Sequence, residues 1–162
     1  MKEKKSLTSF EKEALALIES EYTLTLATNG DDGPWSAPVY YLFSNHSFYF
    51  FSSVSSRHVQ QALDSDQAAA SLYHQSAAWQ DIRGIQMVGR VKEVRSMSTS
   101  AKIIARFLKR YPFVRNFFPT DVKPDLSSFS KHFKAKLYAF IPSEAYYTDN
   151  RFGFGTRRRV VM

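Results

Sequence analysis

Tyr22-Thr23-Leu24-Thr25-Leu26-Ala27-Thr28 alternates larger apolar side chains with small or polar ones, the period-two pattern of a half-buried strand. The residues after it decide the fold. Asn29-Gly30-Asp31-Asp32-Gly33-Pro34 is turn sequence, because asparagine and glycine tolerate positive φ. Trp35 to Phe43 predicts a second strand, Ser44-Asn45-His46 a tight turn, and Ser47 to Ser52 a third strand. Two hairpins in succession make an antiparallel meander.

Upstream, Thr8 and Glu11 have the spacing of a capping box, and Phe10, Ala14, Leu17 and Ile18 share one face, which predicts a helix over 8–20. Downstream, Ser55-Ser56-Arg57-His58 opens a short helix to Leu63, closed by Asp64-Ser65-Asp66. Strands are predicted at 67–74 and 82–94, the second with Gly84 and Gly89, which point to a bend or bulge in a closing barrel. Ser98 to Tyr111 reads as a basic amphipathic helix with Ile103, Ile104, Phe107 and Leu108 inward, and Pro112 stops it. Residues 113–129 are aromatic and irregular, with short helical turns. The last strands fall at 133–141 and 145–148, separated by Pro142-Ser143, and a tail begins at Asp149. This order predicts one mainly β domain over 1–162, a small barrel with flanking helices and a helical insertion at about 97–130.

Composition agrees. The chain has 162 residues, 44% hydrophobic and 23% charged, which is the profile of an ordinary globule with a sizeable core. It has no cysteine, which excludes disulfides, thiolate nucleophiles and cysteine-ligated metals. There is no apolar run long enough to span a bilayer, and basic Met1 to Lys5 lead into no apolar signal core, so a cytoplasmic protein without membrane contact is expected. The net charge of +7 is uneven: residues 1–81 hold 5 Lys/Arg against 10 Asp/Glu, and residues 82–162 hold 17 against 5. Basic groups at Lys102, Arg106, Lys109, Arg110 and Arg157 to Arg159 invite a nucleic-acid reading, with Phe113, Phe117 and Phe118 as stacking platforms. A solvated helix face, with those rings packed on the barrel, is the commoner meaning, so only weak, salt-sensitive association with nucleic acid is expected.

The four histidines (His46, His58, His74, His132) have no ligand spacing, so no metal site is expected, and the sequence lacks nucleophile-elbow, Walker and dinucleotide-binding motifs. Phe50 to Leu63 is the most informative stretch. A strand delivers Ser52, Ser53, Ser55, Ser56 and Arg57 to the first turn of a helix, where free N–H groups and the helix dipole favour an anion. Arg57 would add a bidentate donor. The competing reading has Ser55 or Ser56 capping the helix and Arg57 in solvent.

Ser56-Arg57-His58-Val59-Gln60-Gln61-Ala62-Leu63, then Ala68 to Leu72, then Ile85-Gln86-Met87-Val88-Gly89-Arg90-Val91, resembles the FMN-binding split-barrel family of pyridoxamine-phosphate oxidases. Tyr147 to Gly155 resembles its small YhbP-like branch. The resemblance covers about residues 10–155 and implies an antiparallel split barrel of six or seven strands that binds FMN at a homodimer interface. Carried over residue by residue, it implies that Ser56 and Arg57, with His58 beside them, hold the phosphate. It places Ala37, Pro38, Val39 and Tyr40 along the isoalloxazine, Ser52 and Ser53 near the ribityl chain, and Gln86 near the ring from a neighbouring strand. The segment 150–157 would complete the site, with Phe152 and Phe154 as flat apolar surface, Arg151 or Arg157 as the cation, and Gly153 and Gly155 allowing close approach, the competing reading being a frayed tail. His58 stands where the family has lysine, the arginine usual at Trp35-Ser36 is absent, and so is the Arg-x-His substrate pair. Pyridoxamine-phosphate oxidase activity is therefore not expected. The function implied is an FMN-dependent oxidoreductase acting on a small molecule. The alternative is a non-catalytic binding module of the same fold, holding another planar ligand such as haem (on a histidine such as His58 or His132) or a nucleic acid.

Overall fold

The computed structural model describes residues 8–162. Helix α1 (Ser9–Ser20) starts at a complete capping box: Thr8 accepts the Glu11 N–H, and the Glu11 carboxylate accepts the Thr8 N–H at 2.7 Å. It buries Ala14, Leu17 and Ile18 against the barrel. Strands β1 (Thr23–Gly30) and β2 (Gly33–Tyr40) pair from Thr23 with Tyr40 to Gly30 with Gly33. A short β3 (Leu42–Ser44) then pairs with β4 (Ser47–Ser53) across Asn45 and His46. Both turn residues have positive φ, 47° and 57°, the geometry that matches strand twist in a two-residue hairpin.

The remaining elements are α2 (Arg57–Ser65), β5 (Ala68–Tyr73), β6 (Arg83–Glu93), α3 (Met97–Arg110), α4 (Leu126–Phe133), β7 (Ala135–Asp149) and β8 (Arg157–Arg159). The strand order is β2-β1-β5-β6-β7-β4-β3, with β8 on β7, and every pair is antiparallel. The two ends of this sheet, β2 and β3, are consecutive pieces of one extended run interrupted only at Tyr41. The sheet therefore curls round on itself as a split barrel. Its interior holds Leu24, Leu26, Tyr41, Phe50, Ile85 and Phe140, all essentially inaccessible to solvent. Burying side chains of this size stabilises the fold by roughly 1.5–3 kcal/mol apiece.

Two expectations need correction, and one competing reading falls. The last two predicted strands are one, because a β-bulge absorbs Ser143: Val88 pairs with Glu144 while Gly89 pairs with Pro142. Gly89 is required there, since a Cβ would lie 2.3 Å from the Ile141 carbonyl oxygen. The irregular stretch ends in a helix, α4, whose Asp125 cap accepts the Ser128 N–H at 2.8 Å, so β7 begins at Ala135. The tail is not frayed: β8 pairs with Tyr146 to Thr148, and Val160 sits in the core.

Between β6 and β7, α3 lays Ile103 and Phe107 over Leu42, Tyr49 and Leu137 on the outside of the barrel. The Phe129 ring of α4 stacks on Phe51 at 3.9 Å. One outer flank of the barrel is thus covered by helices, and among the described residues nothing covers the outer face of β1, β5 and β6.

Candidate functional site

The end of β4 and the start of α2 carry the densest group of polar side chains. Ser52 Oγ lies 2.8 Å from His58 Nε2 and 3.0 Å from Ser56 Oγ, and Ser53 Oγ lies 2.9 Å from Ser55 Oγ. Ser56 occupies the N-cap position but donates its hydroxyl backward to the Ser53 carbonyl at 2.7 Å. The capping reading is therefore corrected: among the described residues no side chain caps α2, and its leading N–H groups keep their capacity for an acceptor. Burial lowers the His58 pKa below its ordinary 6.5, so the imidazole is neutral at pH 7.

Arg57 is not simply solvated. Its Nη2 donates to the carbonyls of Asp32 and, at 3.1 Å, Gly33, and its guanidinium lies 4.8 Å from the centre of the Trp35 ring. Its Nε is buried and, among the described residues, has no hydrogen-bond partner. Gln61 supports the same turn, donating to the Gly33 carbonyl at 3.0 Å and accepting from Thr28 Oγ1 at 2.8 Å. The role of Gln61 is invisible in sequence, where it reads as one more polar helix residue. Asp31, Asp32 and Asp64 line the hollow on the turn side of Arg57, so an anion is favoured only on the serine side.

Along β2, Ala37 and Val39 point into the core while Pro38 and Tyr40 are exposed. Beside them lies a shallow hollow of about 480 Å³ on the bare outer face, floored by small side chains such as Thr25, Ala27, Ala69 and Ser71. Gln86 lines it with Tyr146 and Ser36. Arg157 reaches over from β8, with Nη1 3.5 Å from Gln86 Oε1 and its guanidinium 5.0 Å from the Tyr146 ring centre.

Apart from Arg157, the C-terminal residues singled out from the sequence make contacts of their own. Arg151 pairs with the buried Asp149 carboxylate at 2.6 Å and with Glu13 at 2.7 Å. Burial opposes ionisation of Asp149, but bonds from Arg151 and the Tyr147 hydroxyl outweigh it and hold the carboxyl below its ordinary value. Phe152 packs on Phe10 and Phe154 on Trp79, with ring centres 5.2 and 5.7 Å apart. Among the described residues, no hydrogen bond, ion pair or ring contact joins Arg151, Phe152 or Phe154 to Arg57, the serines or Gln86. Gly153 and Gly155 serve the loop itself, with φ of 118° and 69°.

The basic half is partly spent on the fold. Arg106 donates to Ser44 Oγ at 2.7 Å, and Arg110 donates to the Glu19 and Glu21 carbonyls. Phe118 is buried as expected of a packing residue, whereas Phe113 and Phe117 are 43% and 61% exposed. Among the described residues there is no cluster of three or more metal-ligating side chains, and no helix is long and apolar enough to cross a membrane.

An eight-stranded antiparallel sheet, curled into a barrel that is split at Tyr41 and flanked by helices, defines the class: a split-barrel protein. A profile described as pyridoxamine 5'-phosphate oxidase matches residues 10–133, and the chain belongs to that family. It is 25% identical over 142 residues to a UPF0306 protein of Klebsiella pneumoniae, covering 86% of this chain and 85% of the relative. It is 22% identical over 142 residues to the UPF0306 protein YhbP of Salmonella paratyphi A, with the same two coverages. Among solved structures, the conserved hypothetical protein Rv2991 of Mycobacterium tuberculosis superposes with a TM-score of 0.70 at 18% identity, over 93% of this chain and 91% of that one. A heme binding protein of Mycobacterium smegmatis gives 0.71 at 15% identity, over 96% and 59%. A FAD-binding protein of Mesorhizobium loti gives 0.62 at 12%, over 86% and 92%. At these identities the structures share the fold.

Proposed function

We propose that this protein is an FMN-binding homodimer that acts as a flavin-dependent oxidoreductase on a small molecule. The observation that carries this reading is the buried, unpartnered Nε of Arg57 beside the uncapped start of α2. A phosphate there would accept from Arg57 and from the leading helix N–H groups, with Ser53 and Ser55 as neutral donors. Neutral His58 would contribute a hydrogen bond rather than a charge. The isoalloxazine would run along β2, past Pro38 and Tyr40, toward Gln86 on the bare face. A second copy covering that face would supply the other wall, since a small barrel fills its own interior with side chains. The flavin supplies the redox chemistry when bound; the chain binds, orients and shields it from water.

The family membership supports a small-ligand site, and a relative in fold named for FAD agrees with a flavin, while one named for haem offers the competing ligand. Absorbance of the purified protein, with subsequent titration of the ligand-free chain with FMN and separately with haem, tests the reading. One FMN per chain on a dimer is the expected result. Saturable haem binding with no FMN binding would replace the flavin reading.

A further inference from the structure

We infer that the hollow between α3 and residues 115–125 is a second ligand site, for an unbranched aliphatic carboxylate. Its location is independent of the flavin reading.

The helix carries two apolar stripes. Ile103 and Phe107 face the barrel. Ala101, Ile104, Ala105 and Leu108 have the i, i+3, i+4, i+7 spacing of a separate face. Ile104 and Leu108 of this face pack into a small cluster with Phe118 and Phe129. The outer edge of this face, with Ala101 and Ala105 exposed, floors a hollow of about 620 Å³, bounded opposite by Pro124. That size lies within the range of small-molecule pockets. No lining residue is aromatic, and the two exposed alanines keep the floor low. Such a surface suits a flexible hydrocarbon chain better than a planar ring.

The rim specifies the head group. Lys109, Arg115 and Lys123 all line the hollow, and among the described residues none of their side chains has a salt bridge or hydrogen bond. This sets them apart from Arg106 and Arg110 on the same helix, whose guanidinium groups are held by barrel acceptors. The one carboxylate at the rim, Asp125, is turned into α4, where it accepts the Ser128 N–H. Three uncommitted cations around an aliphatic floor are complementary to a single anion on an apolar tail.

Calorimetric titration of the full chain with decanoate, below its micelle concentration, tests this, with decanol and acetate as controls. Saturable binding of one decanoate per chain is expected, with either control at least about 10-fold weaker, because each lacks one half of the match. Arg115→Glu with Lys123→Glu should weaken decanoate by about 10-fold or more. Ala105→Trp, which fills the floor from an exposed position, should abolish it. Circular dichroism and melting confirm that each variant is folded, and if Ala105→Trp is not, the charge reversal carries the test alone. Absence of saturable decanoate binding, equal affinity for decanol, or parental affinity in either folded variant would overturn the assignment.

Discussion

Replacing Arg57 by alanine perturbs two things that separate measurements can resolve. In the free protein the guanidinium holds the Asp32 and Gly33 carbonyls and lies over Trp35. These contacts are at the surface end of a hairpin, where water can take over the carbonyls, so their loss costs about 1 kcal/mol. For a chain of this length that lowers Tm by roughly 2–4 °C. Binding is affected more. A phosphate beside the unpartnered Nε would gain a charge-assisted bond worth about 1.5–3 kcal/mol, so Arg57→Ala should weaken FMN by roughly 10- to 100-fold. Arg57→Lys keeps the charge but loses the planar fork and should fall between the two. The assay is quenching of FMN fluorescence on titration with ligand-free protein, beside a thermal melt of the same samples. A variant that melts a few degrees lower yet binds FMN with parental affinity would show that Arg57 is a clamp for the β1–β2 turn and nothing more.

His58→Lys should tighten FMN measurably at pH 7, because a permanent charge replaces a neutral imidazole; unchanged affinity would remove His58 from the phosphate site. His58 also has a lowered pKa in the folded state, so the unfolded chain takes up its proton first. Its contribution to stability is present above the ordinary 6.5 and is lost as pH falls below it, and the melting profile of His58→Gln should be flatter across that window. Gly89→Ala forces a Cβ onto the Ile141 carbonyl and should destabilise the barrel by about 3 kcal/mol or prevent folding, as chemical denaturation would show. Asp149→Asn should cost about 2 kcal/mol, less than a fully buried pair because the Arg151 side chain is 39% exposed and keeps Glu13. The Asp149 contribution is present above its ordinary 3.8 and disappears as pH falls through the lower folded value, so the variant should lose less stability in acid than its parent.

The sequence by itself determined the meander, both hairpin turns, α1 with its capping box, and the amphipathic α3, because each is specified by side chains a few residues apart. Period-two alternation from Tyr22 and the Asn-His turn are local signals that local backbone geometry answers directly, while the first turn sits at Asp31-Asp32, one step past Asn-Gly, with Gly33 taking the positive φ. The serine-rich entry to α2 was legible for the same reason. What only the tertiary structure decided rests on contacts between distant segments. Whether Pro142-Ser143 ends a strand or forms a bulge depended on Gly89, more than 50 residues away, letting the Ile141 carbonyl approach. The frayed look of a tail rich in arginine and glycine was overruled by the free edge of β7 and a core position for Val160. Arg57 read as a phosphate donor or a solvated side chain, and its hold on the Asp32 and Gly33 carbonyls appeared only when the β1–β2 turn was brought against α2. Arg151, equally cationic on paper, is committed to Asp149 and Glu13 because the barrel closes α1 against the end of β7. A charge in sequence is a capacity for interaction, and the partners that use it are chosen by which distant groups the closed sheet leaves within reach.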